Sequence, residues 1–217
     1  MPISKRYELL GWVTKTKDRY IIEDEYDSEL RLNGKPIPSL QSIDVSGKVI
    51  YMNTFSKTLC STVRISYMVL PDELAERFYR ELSFYSCTVS NFEQYTLAQF
   101  MNSGAFEKHI NRLRNYYQNK RDAILEIFKT APLDQYITIK EEDSGVHFMM
   151  KLKTDRTEMD MISDAKSKGI KLAPLSKYFV DQTSNMNFQN VYVMNYSSID
   201  LEQLPLIFDA LCQVLIK

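Results

Sequence analysis

The sequence predicts an α/β protein: a sheet with parallel strands and helices on both faces, followed by a smaller α+β domain. Three observations lead there. The apolar runs RYIIED (19–24), KVIYMN (48–53) and VRISYMVL (63–70) are short and nearly unbroken, as strands covered on both faces require. From residue 71 onward the apolar spacing turns helical and culminates in one long amphipathic stretch. After Ala131-Pro132 the texture changes to short strand-like segments with two further helices.

The chain opens with Ile3, Tyr7, Leu10 and Trp12 at near-helical spacing, so a helix is expected from about residue 3 to 17, with Trp12 packing it. Tyr20 to Ile22, ending in acids, reads as the first buried strand. Gly34, Pro36, Pro38 and Gly47 mark residues 31–47 as loop. Pro71-Asp72 opens a helix running to about Leu82. Ser90-Asn91-Phe92-Glu93 reads as a capping box, with the hydroxyl and the carboxylate each satisfying a backbone N–H, and its helix stops near Gly104. Phe106, Ile110, Leu113, Tyr117, Ile124 and Phe128 form one stripe of a helix from Ala105 to about Lys129. Beyond it, YITIKEE, GVHFMMKL, GIKLAPL and NVYVMNYSS read as strands, and residues 157–168 and 200–216 as helices. Met149, Met150, Met159 and Met161 read as core filler.

Of the 217 residues, 44% are hydrophobic and 25% charged, which is ordinary globular composition. Twenty-seven basic against 28 acidic residues leave a net charge of -1, without the basic face a nucleic-acid module shows. The basic, Tyr-rich NRLRNYYQNKR therefore reads as the solvated face of the long helix. Cys60, Cys87 and Cys212 sit in apolar contexts without CxxC spacing, which argues against a disulfide framework and fits a reducing cytoplasm. With only His109 and His147, no metal site is expected. There is neither a signal-peptide pattern nor an apolar run of membrane-spanning length, so a soluble cytoplasmic protein is expected.

Ligands of parallel α/β sheets bind beyond the carboxyl ends of the strands. Asp24 lies just past the first apolar run; Thr54, Ser56 and Lys57 lie just past the second. If those strands are parallel neighbours, a carboxylate, a lysine and two hydroxyls share one crevice. Each has a task if the ligand is pyridoxal 5'-phosphate. Lys57 would form the Schiff base on the aldehyde. Asp24 would keep the pyridine nitrogen protonated, so that the ring accepts electrons. Tyr26 would donate to the ring's phenolic oxygen, Thr54 and Ser56 would bind the phosphate, and Arg64 would clamp it. Read one at a time, Lys57 is also a solvated charge, Asp24 a turn residue and Arg64 a charge on an edge strand. Spacing alone does not separate these readings.

The motifs do. TFSKTLCSTVRISY (54–67) resembles the lysine region of class I/II aminotransferases, the fold type I enzymes, where a hydroxyl-x-hydroxyl-Lys run precedes an arginine and an aromatic. YIIEDEYDSELR, GKPIPSLQSID and MPISKRYELL resemble more narrowly the aminotransferase domain of MocR-type members of the GntR regulator family. The resemblance covers essentially the whole chain. It implies Lys57 as the catalytic, Schiff-base lysine, and Asp24, Tyr26, Thr54, Ser56 and Arg64 as cofactor-binding residues, with no metal. It also implies the later part of a fold type I large domain (three-layer α/β/α) in residues 1–104, a long linking helix at 105–130 and a small α+β domain at 131–217. A homodimer acting on an amino acid or amine is expected, with DNA contacted only through a winged-helix domain further upstream. The family's phosphate-cradling glycine loop, stacking aromatic and ring-contacting asparagine also precede this region, so the chain is expected to be the C-terminal part of a longer protein.

One departure stands out. Many aminotransferases hold the substrate carboxylate with an arginine three residues before an aromatic on a late strand. With Tyr196 as that aromatic, Val193 takes the arginine's place, and no arginine follows Arg156. Lys177 is the nearest substitute, although it reads better as a solvated lysine. A PLP-dependent effector-sensing domain of a regulator is the leading expectation. A free-standing aminotransferase or a non-catalytic remnant are the alternatives.

Overall fold

The computed structural model describes residues 1, 3–32, 38–140, 145–179 and 188–216. They fall into two compact units, one from residues 1–29 and 35–110, the other from residues 30–34 and 111–217.

The first unit begins with helix α1 (Ile3–Val13). It stops four residues short of the expected end, and only Arg6 and Val13 on it are buried. Trp12 is exposed rather than packed, with the Arg19 guanidinium 4.1 Å above its ring. Strand β1 (Ile21–Asp24) pairs in parallel with β2 (Val49–Thr54), in the register Ile21–Val49 to Asp24–Met52. The third strand, β3 (Ser66–Val69), is shorter than the expected 63–70 and antiparallel to β2. All four of its residues are exposed. The expectation of a sheet covered on both faces therefore fails at this strand, where Tyr67, Met68 and Val69 all stand exposed.

Helices α2 (Asp72–Leu82) and α3 (Asn91–Asn102) follow, and neither buries a residue fully. Half of the capping box forms: Ser90 Oγ accepts the Glu93 N–H at 3.2 Å, while the Glu93 carboxylate takes the Ser90 hydroxyl hydrogen at 2.9 Å in place of a backbone N–H. Gly104, at φ +71°, ends α3 in the left-handed conformation glycine adopts without strain. Helix α4 (Ala105–Phe128) starts directly after it.

The second unit is built on an antiparallel sheet of β4 (Ile137–Lys140), β5 (His147–Leu152) and β6 (Val191–Asn195), with β5 central. Strand β5 alternates, so Phe148, Met150 and Leu152 point inward. They meet Ile124, Leu125 and Phe128 of α4, Met161 and Ala165 of α5 (Glu158–Ser167), and Leu204, Leu211 and Val214 of α6 (Leu204–Leu215). Phe148 is fully buried, edge-on to Phe128 and stacked on Tyr196. Truncating such a side chain to alanine costs about 3–5 kcal/mol, because the cavity only partly relaxes.

Three expectations change here. GIKLAPL forms no strand; it is tied to β6 by a bridge from Pro174 to Tyr192 and a 2.8 Å bond from Val193 N–H to the Ala173 carbonyl. Lys120 and Arg121, read as part of a solvated face, are buried. Their aliphatic stems pack inward while Lys120 donates to the Ser197 carbonyl at 2.9 Å and Arg121 pairs with Asp122. Met150 and Met161 are core residues, whereas Met159 is exposed. Among the described residues no helix is long and apolar enough to cross a membrane.

Candidate active site

The parallel pairing of β1 with β2 brings both strand ends to one side of the first unit's sheet. Three consecutive acids close β1 and lead out of it, and strand alternation sorts them. Glu23 accepts the N–H groups of Leu40 and Gln41 at 2.6 and 2.9 Å and lies 4.0 Å from the buried Arg6. It fastens α1 and the 39–41 turn to β1. Glu25 is half-buried beside Tyr51, and burial pushes its carboxyl above the ordinary range; Glu23 and Glu29 add to this, while the Ser28 hydroxyl and Arg6 oppose it. Asp24, between them, is exposed on the opposite face, the one carrying Met52 and Thr54. Tyr26, two residues on, is also exposed.

Past β2 the chain turns tightly: the Leu59 N–H bonds the Phe55 carbonyl at 2.9 Å, and Phe55 N–H bonds Ile65 at 3.0 Å. That return brings residues 63–65 back beside 54–56. Thr54 Oγ1 lies 3.2 Å from Ser56 Oγ and donates to the Ile65 carbonyl at 3.2 Å. Ser56 Oγ donates to the Val63 carbonyl at 2.8 Å and accepts from Arg64 Nη1 at 3.4 Å. Thr54, Ser56 and Arg64 are thus one cluster, with the exposed Lys57 next in the chain. Two hydroxyls, once turned away from the Ile65 and Val63 carbonyls, and a guanidinium suit a phosphate dianion.

Two supports of this turn escaped the sequence reading. His109 Nε2, on α4, lies 2.8 Å from the carbonyl of Thr58, whose side chain is buried directly after Lys57. The Phe55 ring packs on Phe106 and Tyr67. Nothing local marks His109, since its partner is 51 residues away. Asn53 is the second case. It is buried and spends both amide hydrogens, on Glu29 at 3.1 Å and on the Tyr51 hydroxyl at 2.9 Å. Cys60 and Cys87, although in apolar stretches of sequence, are exposed, and the Thr62 hydroxyl, 2.9 Å from Cys60 Sγ, lowers that thiol's pKa.

In the second unit, Val193 pairs with Met149 on the face that also carries Lys140. Arg156, the last arginine, is held within the same unit: it donates to the Val214 carbonyl at 2.9 Å and to Asp164 at 3.0 Å. Tyr196 is buried, with its hydroxyl on the Gly145 carbonyl at 2.5 Å. Lys177 is exposed.

No family model matches the chain. YhdI, an HTH-type transcriptional regulator of Bacillus subtilis, is 40% identical over 183 residues, covering 84% of this chain and 39% of that protein. MocR of Rhizobium meliloti, a probable rhizopine catabolism regulatory protein, is 32% identical over 200 residues, covering 92% and 39%. Among solved structures, the kynurenine aminotransferase of Pyrococcus horikoshii, in complex with PMP and its substrates and products, superposes with a TM-score of 0.79. It is 24% identical, and the match covers all of this chain and 52% of that one. The fold is that of the fold type I aminotransferases. By sequence the chain is similar to MocR-type regulators of the GntR family, and it spans about two fifths of their length.

Proposed function

We propose that this chain is the aminotransferase-like, effector-binding part of a MocR-type regulator, and that it holds pyridoxal 5'-phosphate at Lys57. The observation carrying this reading is the Thr54–Ser56–Arg64 cluster beside Lys57, with Asp24 on the same sheet face. The donor set fits the group. Thr54, Ser56 and Arg64 match a phosphate, Lys57 an aldehyde carbon, Asp24 a pyridine nitrogen and Tyr26 a phenolic oxygen. When bound, the cofactor supplies an electron sink for bonds broken at the amine-bearing carbon of the ligand.

The chain's own residues do the rest. Lys57, with its hydroxyl neighbours tied to the 63–65 strand return, offers its amine from a fixed turn. The Asp24 carboxylate holds a proton on the ring nitrogen. The Arg64 guanidinium offsets the phosphate charge. In this reading residues 1–104 are the later part of the large domain, 105–130 the linking helix and 131–217 the small domain. The protein works as a cytoplasmic homodimer on an amino acid or amine, and DNA is met outside this chain.

A free-standing aminotransferase is the second reading, favoured by the enzymes among the structural relatives. Borohydride reduction in excess PLP, followed by peptide mapping, tests the shared core of both. The label is expected on Lys57 and absent from Lys57→Ala; a label elsewhere overturns the assignment. Sustained turnover with amino acid and keto acid pairs favours the enzyme, and a spectral change without turnover favours the sensor.

A further inference from the structure

On the sheet face opposite Asp24 and Thr54, one residue joins the two strand exits. Asn53 donates to the Glu29 carboxylate at 3.1 Å and to the Tyr51 hydroxyl at 2.9 Å, and its Oδ1 accepts the N–H of Thr54 at 2.6 Å. Tyr51 in turn lies 3.5 Å from Glu25. Glu25 and Glu29 bracket Tyr26, which lies on the loop leaving β1. Thr54 opens the turn that carries Ser56 and Lys57. We propose that Asn53 is a positioning residue: it clamps the Tyr26 loop to the end of β2, so that the acid and phenol side of the site keeps a set distance from the hydroxyl and lysine side. Its role toward the cofactor rests on the reading of Lys57 given above; the clamp itself does not.

The chemistry explains why an amide stands here. The residues around it are mostly acceptors or acids: Glu25, Glu29, the phenols of Tyr51 and Tyr67, and Glu23 beyond them, with the Arg6 guanidinium acting on Glu25. Burial, with Tyr51 and Glu29 close by, pushes the Tyr67 phenol up to about 12. A group with two N–H donors and one carbonyl satisfies both a carboxylate and the Thr54 N–H. A carboxylate of the same shape satisfies only the second.

That difference supplies the test. Asn53→Asp keeps size, shape and the acceptor for Thr54, but sets two carboxylates against each other. Glu29→Gln on top of it restores a donor–acceptor pair with its direction reversed. In the full chain, amide hydrogen exchange over residues 25–29 is expected to quicken about tenfold in Asn53→Asp, in line with losing a charged, partly buried hydrogen bond. It is expected to return toward the parent in the double variant. The Kd for PLP, read from its absorbance, should follow the same order. Unchanged exchange in Asn53→Asp overturns the clamp, because a role in packing alone tolerates an isosteric change. If Asn53→Asp unfolds throughout, seen as lost protection in β5, the double variant decides: recovery supports the clamp and no recovery overturns it. If the parent takes no label at Lys57, the cofactor role falls, and exchange still decides the clamp.

Discussion

Asp24 pairs with Met52 across the parallel β1–β2 ladder, which puts its carboxylate on the same sheet face as the Thr54 hydroxyl, one step further along β2. Its neighbours Glu23 and Glu25 face the other way, into backbone N–H groups and toward Tyr51. Strand alternation therefore selects the middle of three acids. Asp24→Ala is expected to keep the borohydride label on Lys57 and to slow proton removal from the amine carbon by about a hundredfold or more, as losing a preorganised charge does. Single-turnover rates equal to the parent's would contradict that role.

Glu25 gives a pH signature that needs no cofactor. Burial first, then Glu23 and Glu29, hold its carboxyl above the ordinary range, against the pull of Ser28 and Arg6. A raised folded pKa means that the folded chain keeps a proton the unfolded chain has released. The stability tied to that proton is complete below the unfolded value and is lost as pH rises through the folded one. Glu25→Gln is thus expected to raise the melting temperature by a few degrees at pH 7.5, with the gap closing toward pH 4. A gap that is constant or widens in acid would count against it.

If Val193 takes the place of the family's carboxylate-binding arginine, as the resemblance implies, substrate choice is expected to turn on it. It stands on β6 beside Met149, and Arg156 is already committed to Asp164 and the Val214 carbonyl. A ligand carboxylate set against apolar side chains without a partner costs several kcal/mol. The chain in excess PLP is expected to react with aspartate and glutamate no faster than with neutral amines. Efficient, selective single turnover of either dicarboxylic acid would show that a carboxylate partner lies elsewhere.

What the sequence shows of this protein follows from how local each signal is. The Ser90 cap, Gly104 and strand β5 act over a few residues, and each is read directly from the chain. Thr54, Ser56 and Lys57 are legible for the same reason, as hydroxyls and a lysine just past a strand. The partners that hold them come from far away: His109 reaches Thr58 across 51 residues and Asn53 reaches Glu29 across 24. No spacing rule exposes such pairs. The direction of β3 was hidden too, because an apolar run reads alike in either direction. Lys120 and Arg121 misled because residue type signals solvent, whereas a carbonyl at Ser197 and an acid at Asp122 allow both to be buried.

The last expectation concerns the surface of the first unit. In its sheet β1 and β3 each have one neighbour among the described residues, and edges of this kind pair with other chains. Ile22 is 64% exposed and Met68 51%, on the face that carries Asp24. Phe92 is 81% exposed at the rim of an apolar cleft lined by Leu59, Val63, Ile65, Leu97 and Phe100. Apolar surface on this scale marks an interface or drives association. The Thr54, Ser56 and Arg64 cluster, by contrast, offers two hydroxyls and one exposed guanidinium, and Asp24 and Lys57 are exposed. At about 1 kcal/mol per neutral hydrogen bond and up to about 3 for a charged one, these contacts alone hold a ligand with a Kd of roughly 0.2 mM. The 217-residue chain is therefore expected to self-associate in sedimentation velocity and to lose PLP on gel filtration, leaving the Lys57 amine free. Substituting Ile22 and Met68 with lysine should shift it toward monomer. A monomeric parent that carries stoichiometric PLP through the column would mean that these apolar faces are closed in solution and that the site holds its ligand with contacts beyond the Thr54, Ser56 and Arg64 cluster.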